Sequence, residues 1–180
     1  MSRLLRFDDA GHQDGESLTE QAEISALLGK HGVRFEQWEC GADLSADSTQ
    51  ADVISAYKSQ VDDFMQTSGF QSVDVISLTP EHPDKDVLRQ KFLNEHTHSD
   101  DEVRFFVEGE GLFYLHFDSA VYGVLCEKGD LISVPANTKH WFDMGPKPCF
   151  KCIRLFTSPD GWVANATGDD IADSYPRHGE

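Results

Sequence analysis

The segment Asn94-Glu95-His96-Thr97-His98-Ser99-Asp100-Asp101-Glu102-Val103-Arg104-Phe105-Phe106 gathers residue types that bind metal ions. In extended chain the side chains alternate between two faces and each residue advances about 3.3 Å, so His96 and His98 stand on one face about 6.6 Å apart. Two imidazoles so placed can meet one ion. After a brief turn at Ser99-Asp100, Glu102, Arg104 and Phe106 share a face of the next strand. Farther on, Gly129 to Pro135 is a strand running into a Pro-containing turn, and His140 opens the following strand with Phe142 on its face. A closed barrel brings such distant strands around one lumen. The donor set is then three neutral imidazoles, His96, His98 and His140, and the carboxylate of Glu102.

Three nitrogen donors and one oxygen suit a borderline divalent ion, and a six-coordinate ion would keep two positions open for water, substrate or dioxygen. An open site implies catalysis. Structural zinc would favour cysteine and close at four ligands, so Fe(II), Ni(II) or Mn(II) is expected over structural Zn(II). Arg104, on the face of Glu102 and permanently charged, is the candidate for holding an anionic substrate through charge-assisted hydrogen bonds. Phe92, Phe106, Phe142 and Trp162 are candidates for the apolar wall of a pocket. His12, His31, His82 and His178 have no partners near them in sequence and read as surface residues.

The elements that must position these groups fall into two parts. Up to about residue 94 the chain reads helical. Ser17-Leu18-Thr19-Glu20 fits a capping box ahead of Ile24, Leu27 and Leu28, with Gly32 as a stop. Val53, Tyr57, Val61 and Phe64 recur at steps of four, four and three, one face of a second helix. Gln71–Leu78 reads as a strand, and Pro83 begins a short helix through Val87, Leu88, Lys91 and Phe92. From Glu95 onward come short runs, EVRFFVEG, LFYLHF, VYGVLCE, DLISVPA, HWFDMG, FKCIRLF and GWVAN, with turns expected at Gly109-Glu110-Gly111, Asp118-Ser119 and Lys128-Gly129-Asp130. Strands at that spacing with no crossover helices indicate an antiparallel barrel. The last stretch, Gly168 to Tyr175, reads as a short helix ending before Pro176. The expectation is one unit over residues 1–180, mainly β with peripheral helices, its helical part at about 17–94 and its barrel core at about 70–165.

Composition narrows the function. The 180 residues carry 15 Lys and Arg against 32 Asp and Glu, a net charge of −17. Such a chain repels phosphate backbones and anionic lipid, so nucleic-acid and membrane-surface roles are disfavoured. No apolar run reaches the roughly 20 residues of a membrane-spanning helix, and the first residues lack a secretory h-region, so the cytoplasm is the expected compartment. Self-repulsion at this charge favours a monomer. Cys149-Phe150-Lys151-Cys152 is a C-x-x-C without a second pair for zinc, at the opening of a strand rather than ahead of a helix, and reads as strand packing.

The spacing of His96, His98, Glu102 and Gly109, followed by Gly129, Pro135 and His140, resembles the two motifs of the cupin superfamily, G-x5-H-x-H-x(3,4)-E-x6-G and G-x5-P-x-G-x2-H-x3-N. Gln90, Asn137 and Met144 depart from those motifs at positions other than the ligands. The runs FLNEHTHSDDEVRFFVEGEGLF, VLCEKGDLISVPANTKHWFDMG and GWVANATGDDIADSYPR resemble the bacterial acireductone dioxygenase family. That resemblance implies a cupin-type jelly-roll barrel and one Fe(II) or Ni(II) per chain on His96, His98, Glu102 and His140. It further implies cleavage of 1,2-dihydroxy-5-(methylthio)pent-1-en-3-one (acireductone) by O2 in methionine salvage. With Fe(II) the expected products are 4-methylthio-2-oxobutanoate and formate; with Ni(II) they are 3-methylthiopropanoate, formate and carbon monoxide. For Glu95 and Asp101 it implies supporting roles in metal incorporation and in relaying local shifts. The alternatives are another cupin enzyme, either a different dioxygenase or a metal-dependent isomerase, and a non-catalytic metal-containing cupin that binds a small molecule.

Overall fold

The computed structural model describes every residue except Ala46 and Ser119. Its organising element is one long strand. The runs EVRFFVEG and LFYLHF, expected as two strands joined by a hairpin at Gly109-Glu110-Gly111, form a single 16-residue strand, Glu102–Phe117. In chain order the strands are β1 (Arg3–Phe7), β2 (Arg34–Gln37), β3 (Ser72–Leu78), β4 (His96–Thr97), β5 (Glu102–Phe117), β6 (Ala120–Glu127), β7 (Asp130–Val134), β8 (Lys139–Asp143), β9 (Phe150–Phe156) and β10 (Asn165–Ala166). The first half of β5 pairs with β7 and β9, and its second half pairs with β6 and β8. Strands β2 and β3 extend the first group through β7 and β9; β1, β4 and β10 extend the second through β6 and β8. All these pairings are antiparallel, and β5 belongs to both layers.

The two glycines expected in a hairpin serve the corner where β5 passes from one layer to the other. Gly109 has φ +69°, and a β-carbon there would sit 1.7 Å from the carbonyl oxygen of Cys149. At Gly111 a β-carbon would strike the ring of Phe142 at 2.3 Å. The ladder to β9 shifts between Phe106 and Glu108, a bulge. An extra residue reverses which face successive side chains take. Before it Arg104 and Phe106 point into the barrel while Val103, Phe105 and Val107 pack outward; beyond it Phe113 and Leu115 point inward and Tyr114 outward.

The helices cover the outer faces. The four residues Val53, Tyr57, Val61 and Phe64 are all buried against Val103, Phe105, Leu131 and Ile153, as their spacing requires. The backbone under them is nonetheless two helices, α2 (Gln50–Ala56) and α3 (Lys58–Ser68), parted at Tyr57, whose φ of −113° and ψ of 19° leave the helical region. The capping box lies at Thr49 and Asp52, not at Ser17 and Glu20. Leu18 is drawn into main-chain bonds with Leu4 at 2.9 Å in both directions, so α1 (Gln21–Gly29) begins only after Glu20 and has no side-chain cap. Helix α4 (Lys85–Leu93) starts two residues after Pro83 and leaves Val87 exposed. Arg89 on α4 grips the buried Asp143 of β8 through Nε at 2.9 Å and Nη2 at 3.3 Å, tying the helix to the barrel.

Smaller expectations change as well. Of GWVAN only Asn165 joins a strand, because residues 160–162 turn. The C-terminal helix is one 3-10 turn, Ile171–Ser174, with Ala172 and Tyr175 packed on Trp141 and Tyr114 of the outer sheet face. The turn expected at Asp118-Ser119 includes Ser119, which lies outside the described residues. Among the described residues no helix is long and apolar enough to cross a membrane. Cys152 is buried in β9, Cys149 is exposed just before it, and all four cysteines are free. His12 is exposed, but His31, His82 and His178 are half-buried, His31 stacking on Phe117 at 4.3 Å.

Gly109→Ala should destabilise the chain by about 2–5 kcal/mol, because a left-handed φ and a backbone collision must both be absorbed. Denaturant unfolding of the two proteins checks this; a loss under about 1 kcal/mol would mean that the corner is not built as described.

Candidate metal centre and adjoining cavity

Strands β4 and β8 pair at a single position, His96 opposite His140. His98 follows two residues after His96, and β5 begins at Glu102, so four separate stretches of ladder and turn deliver the group. The imidazole centroids of His96 and His140 are 4.5 Å apart, those of His96 and His98 5.0 Å, and those of His98 and His140 5.2 Å. One nitrogen from each ring lies within 4.8 Å of the others. All three rings, and Glu102, are at least nine-tenths buried.

Each ring is held by its Nδ1, which donates to a main-chain carbonyl: His96 to Asn94 at 2.6 Å, His98 to Val163 at 2.9 Å and His140 to Thr138 at 2.8 Å. That places the proton on Nδ1 and the lone pair of a neutral ring on Nε2. Glu102 Oε2 stands 2.9 Å from Nε2 of His140 and 3.2 Å from Nε2 of His98. Lone pairs therefore face a carboxylate oxygen, an arrangement that only positive charge makes favourable. A divalent cation held by the three imidazoles and Glu102 would meet that need, and nitrogen and carboxylate donors suit such an ion.

The titration of these groups follows. Burial pulls His96 down to about 4, with the neighbouring His140 ring adding to it. Burial weighs most on His98 and lowers it, but its hydrogen bond to Glu102, the attraction of that charge and the bond to Val163 together outweigh burial and leave it raised above its ordinary value. Burial would push Glu102 up; Arg104 and the two imidazoles hold it well below the usual carboxylate range instead.

Arg104 is 4% exposed and donates from Nε to Glu102 Oε1 at 2.7 Å. Its guanidinium lies over Phe142, Phe113 and Phe92 at 4.5, 5.1 and 5.7 Å, and its buried Nη1 has no hydrogen-bond partner. A cavity of about 210 Å³ opens beside His96, His98, Glu102 and Arg104. Phe92 and Trp162 stand on its wall with Ile76, Leu88, Phe156 and Ala164. Phe106 and Phe142, read from sequence as further wall residues, lie in the barrel core off the lining, Phe142 under the Arg104 guanidinium and Phe106 beside Phe142. A wider hollow of about 760 Å³ lies by Gln37, Trp38 and Cys149, but it is open and none of its lining residues is a histidine.

Glu95 points away from the three rings, bonding Nδ1 of His116 at 2.6 Å and the hydroxyl of Thr167 at 2.8 Å. The orienting acceptors of the ring protons are thus carbonyls and not carboxylates. Asp101 accepts from the main-chain N–H of Ala136 at 2.8 Å, while Asn137 donates to the carbonyl of His98 at 2.8 Å, so the loops that precede Glu102 and His140 are laced together. Asn137 has φ +62°, a conformation that asparagine tolerates where the motif carries glycine.

Several groups escaped the sequence reading. Arg154 lines the cavity and is paired directly opposite Arg104 across β5 and β9. Two cations so placed repel, and each is bound by a carboxylate, Arg154 by Asp74 at 2.8 and 2.7 Å. Period-two alternation through Phe150, Cys152, Arg154 and Phe156 would have pointed it inward. Asp100 accepts from N and Oγ of Ser158, both at 2.7 Å, anchoring the segment that carries Trp162 and the Val163 carbonyl. No local pattern marks that long-range bond.

Residues 3–164 match the model of the ARD/ARD' family. The acireductone dioxygenase of Alcanivorax borkumensis is 56% identical over 177 residues, covering 98% of this chain and 98% of its own. That of Aquifex aeolicus is 54% identical over 180 residues, covering all of this chain and 98% of its own. Among solved structures, an acireductone dioxygenase from Bacillus anthracis with a cadmium ion in its active centre superposes with a TM-score of 0.80 at 30% identity, over 92% of this chain and 98% of that one.

Added divalent metal should stabilise the fold by about 4 kcal/mol once the free ion exceeds its Kd a thousandfold, a Tm rise of roughly 8–16 °C. Affinity should weaken as pH falls through the raised His98 value, since the ion must displace that proton, whereas His96 competes with protons only near pH 4. Calorimetric titration in buffers of different ionisation enthalpy counts the protons released; pH-independent affinity between pH 5.5 and 8 would contradict the assignment.

Proposed function

The chain belongs to the ARD/ARD' family, and on that premise we propose that His96, His98, Glu102 and His140 hold one Fe(II) or Ni(II) against which Arg104 sets the anion of acireductone. The chain is an acireductone dioxygenase, acting in methionine salvage on acireductone and O2. The observation that carries the site assignment is the convergence of three Nδ1-anchored imidazoles, two of them against Glu102.

An ion held there would supply Lewis-acid stabilisation to an enediol ketone that has given up its protons. The chain supplies the remainder. Glu102 turns one oxygen to His98 and His140 and steadies Arg104 through the other, so the carboxylate that would help hold the metal also fixes the guanidinium. Arg104 then offers the substrate anion charge-assisted hydrogen bonds from a site with little competing water. Phe92 and Trp162 border the space left for the methylthio tail. At about 210 Å³ the cavity is below the roughly 300–1,000 Å³ of drug-sized pockets and matches a small substrate.

We assign the Fe(II) form the products 4-methylthio-2-oxobutanoate and formate, and the Ni(II) form 3-methylthiopropanoate, formate and carbon monoxide. A single unit over residues 1–180, a monomeric state and a cytoplasmic location complete the proposal. The net charge of −17 and four free cysteines support the last two.

Purified chain reconstituted separately with Fe(II) and with Ni(II) should consume O2 when acireductone is generated in place, with carbon monoxide released only by the nickel form. No uptake with either ion would overturn the reading. His140→Ala should lose metal together with turnover. Arg104→Ala should keep its metal and lose about 10²–10³-fold in kcat, the size seen when one preorganised donor to a developing anion is removed.

A further inference from the structure

We propose that Lys91, at the rim of the cavity, is a substrate-binding residue that draws the anionic substrate into a chain whose overall charge repels it. The inference rests on the function proposed above and extends it to how the substrate is captured. Three cations line the cavity: Lys91, Arg104 and Arg154. Two are already neutralised, Arg104 by Glu102 at 2.7 Å and Arg154 by Asp74 in a two-pronged contact. Lys91 has no ion-pair partner among the described residues, and it is exposed. The other cations of α4 are engaged elsewhere, Lys85 with the carbonyl of Pro146 at 3.1 Å and Arg89 with Asp143 and Glu180.

The position of Lys91 suits the task. Its ammonium lies 5.8 Å from the ring centroid of Trp162, a wall residue that is about half exposed, so the charge is held at the opening by a cation–π contact. Among the described lining residues Glu102 is the only carboxylate, and Arg104 is paired with it. An approaching enediolate therefore meets a local positive field within a net field of −17. Added salt screens both, and the Debye length shrinks from about 30 Å at 0.01 M to about 3 Å at 1 M. The two fields predict opposite signs. Capture governed by Lys91 slows as salt rises, whereas capture limited by overall repulsion speeds up.

The test compares wild type with Lys91→Met, which removes the charge and keeps an unbranched side chain, and Lys91→Glu, all loaded with one metal and matched for metal content. Wild-type kcat/KM should fall with ionic strength. Lys91→Met should raise KM about 3–10-fold at low salt with kcat held within about twofold, and the difference should vanish near 1 M. Lys91→Glu should raise KM further and reverse the sign of the salt dependence. Anaerobic titration with acireductone, which reads binding without turnover, should show the same order of Kd values. Unchanged KM, Kd and salt slope in both variants of an active enzyme would overturn this inference alone. A wild-type chain that consumes no O2 would overturn it together with the proposed function.

Discussion

Three imidazoles crowd together in a space almost closed to water, two of them turned onto a carboxylate oxygen, and this electrostatic conflict is the constraint around which the molecule is arranged. Left alone, a buried carboxylate costs several kcal/mol, and unprotonated imidazoles turned toward it do not reduce that cost. Arg104 relieves part of it from one side, and an ion among the rings would relieve the rest. The barrel has to be rigid enough to hold the four groups in opposition. Strand β5 supplies that rigidity by belonging to both layers, so that Glu102 and Arg104 cannot move independently of either.

The corner of β5 shows how local chemistry serves this arrangement. Glycine at 109 and 111 lets the strand turn against Cys149 and Phe142 without breaking the ladder, and the bulge beside it reverses the facing of the side chains. The inward rows are therefore Glu102, Arg104 and Phe106 on one side of the corner and Phe113 and Leu115 on the other. The aromatic rings of Phe113 and Phe142, brought together by that reversal, are the surface on which the guanidinium lies.

Much of this was legible in the residues themselves. The alternation that puts His96 beside His98, and Arg104 and Phe106 on the inner face, depends only on the pleat, and the stripe from Val53 to Phe64 depends only on helical pitch. What escaped had long-range causes. Gly109-Glu110-Gly111 carries the composition of a hairpin, and only the approach of Cys149, forty residues away, makes it a corner instead. Ser17 to Glu20 has the residues of a cap, but Leu4 competes for the same backbone. Phe106 and Phe142 face inward as the pattern requires, yet they lie in the core off the cavity lining, a matter of depth that alternation does not encode.

The anchoring of all three rings by peptide carbonyls has an evolutionary corollary. A carbonyl belongs to the chain whatever side chain is attached, so codons 94, 138 and 163 can drift without disturbing the tautomers. Control of the imidazoles has been lodged in the path of the backbone, out of reach of most point mutations, and a change in it calls for an altered loop length or a new proline.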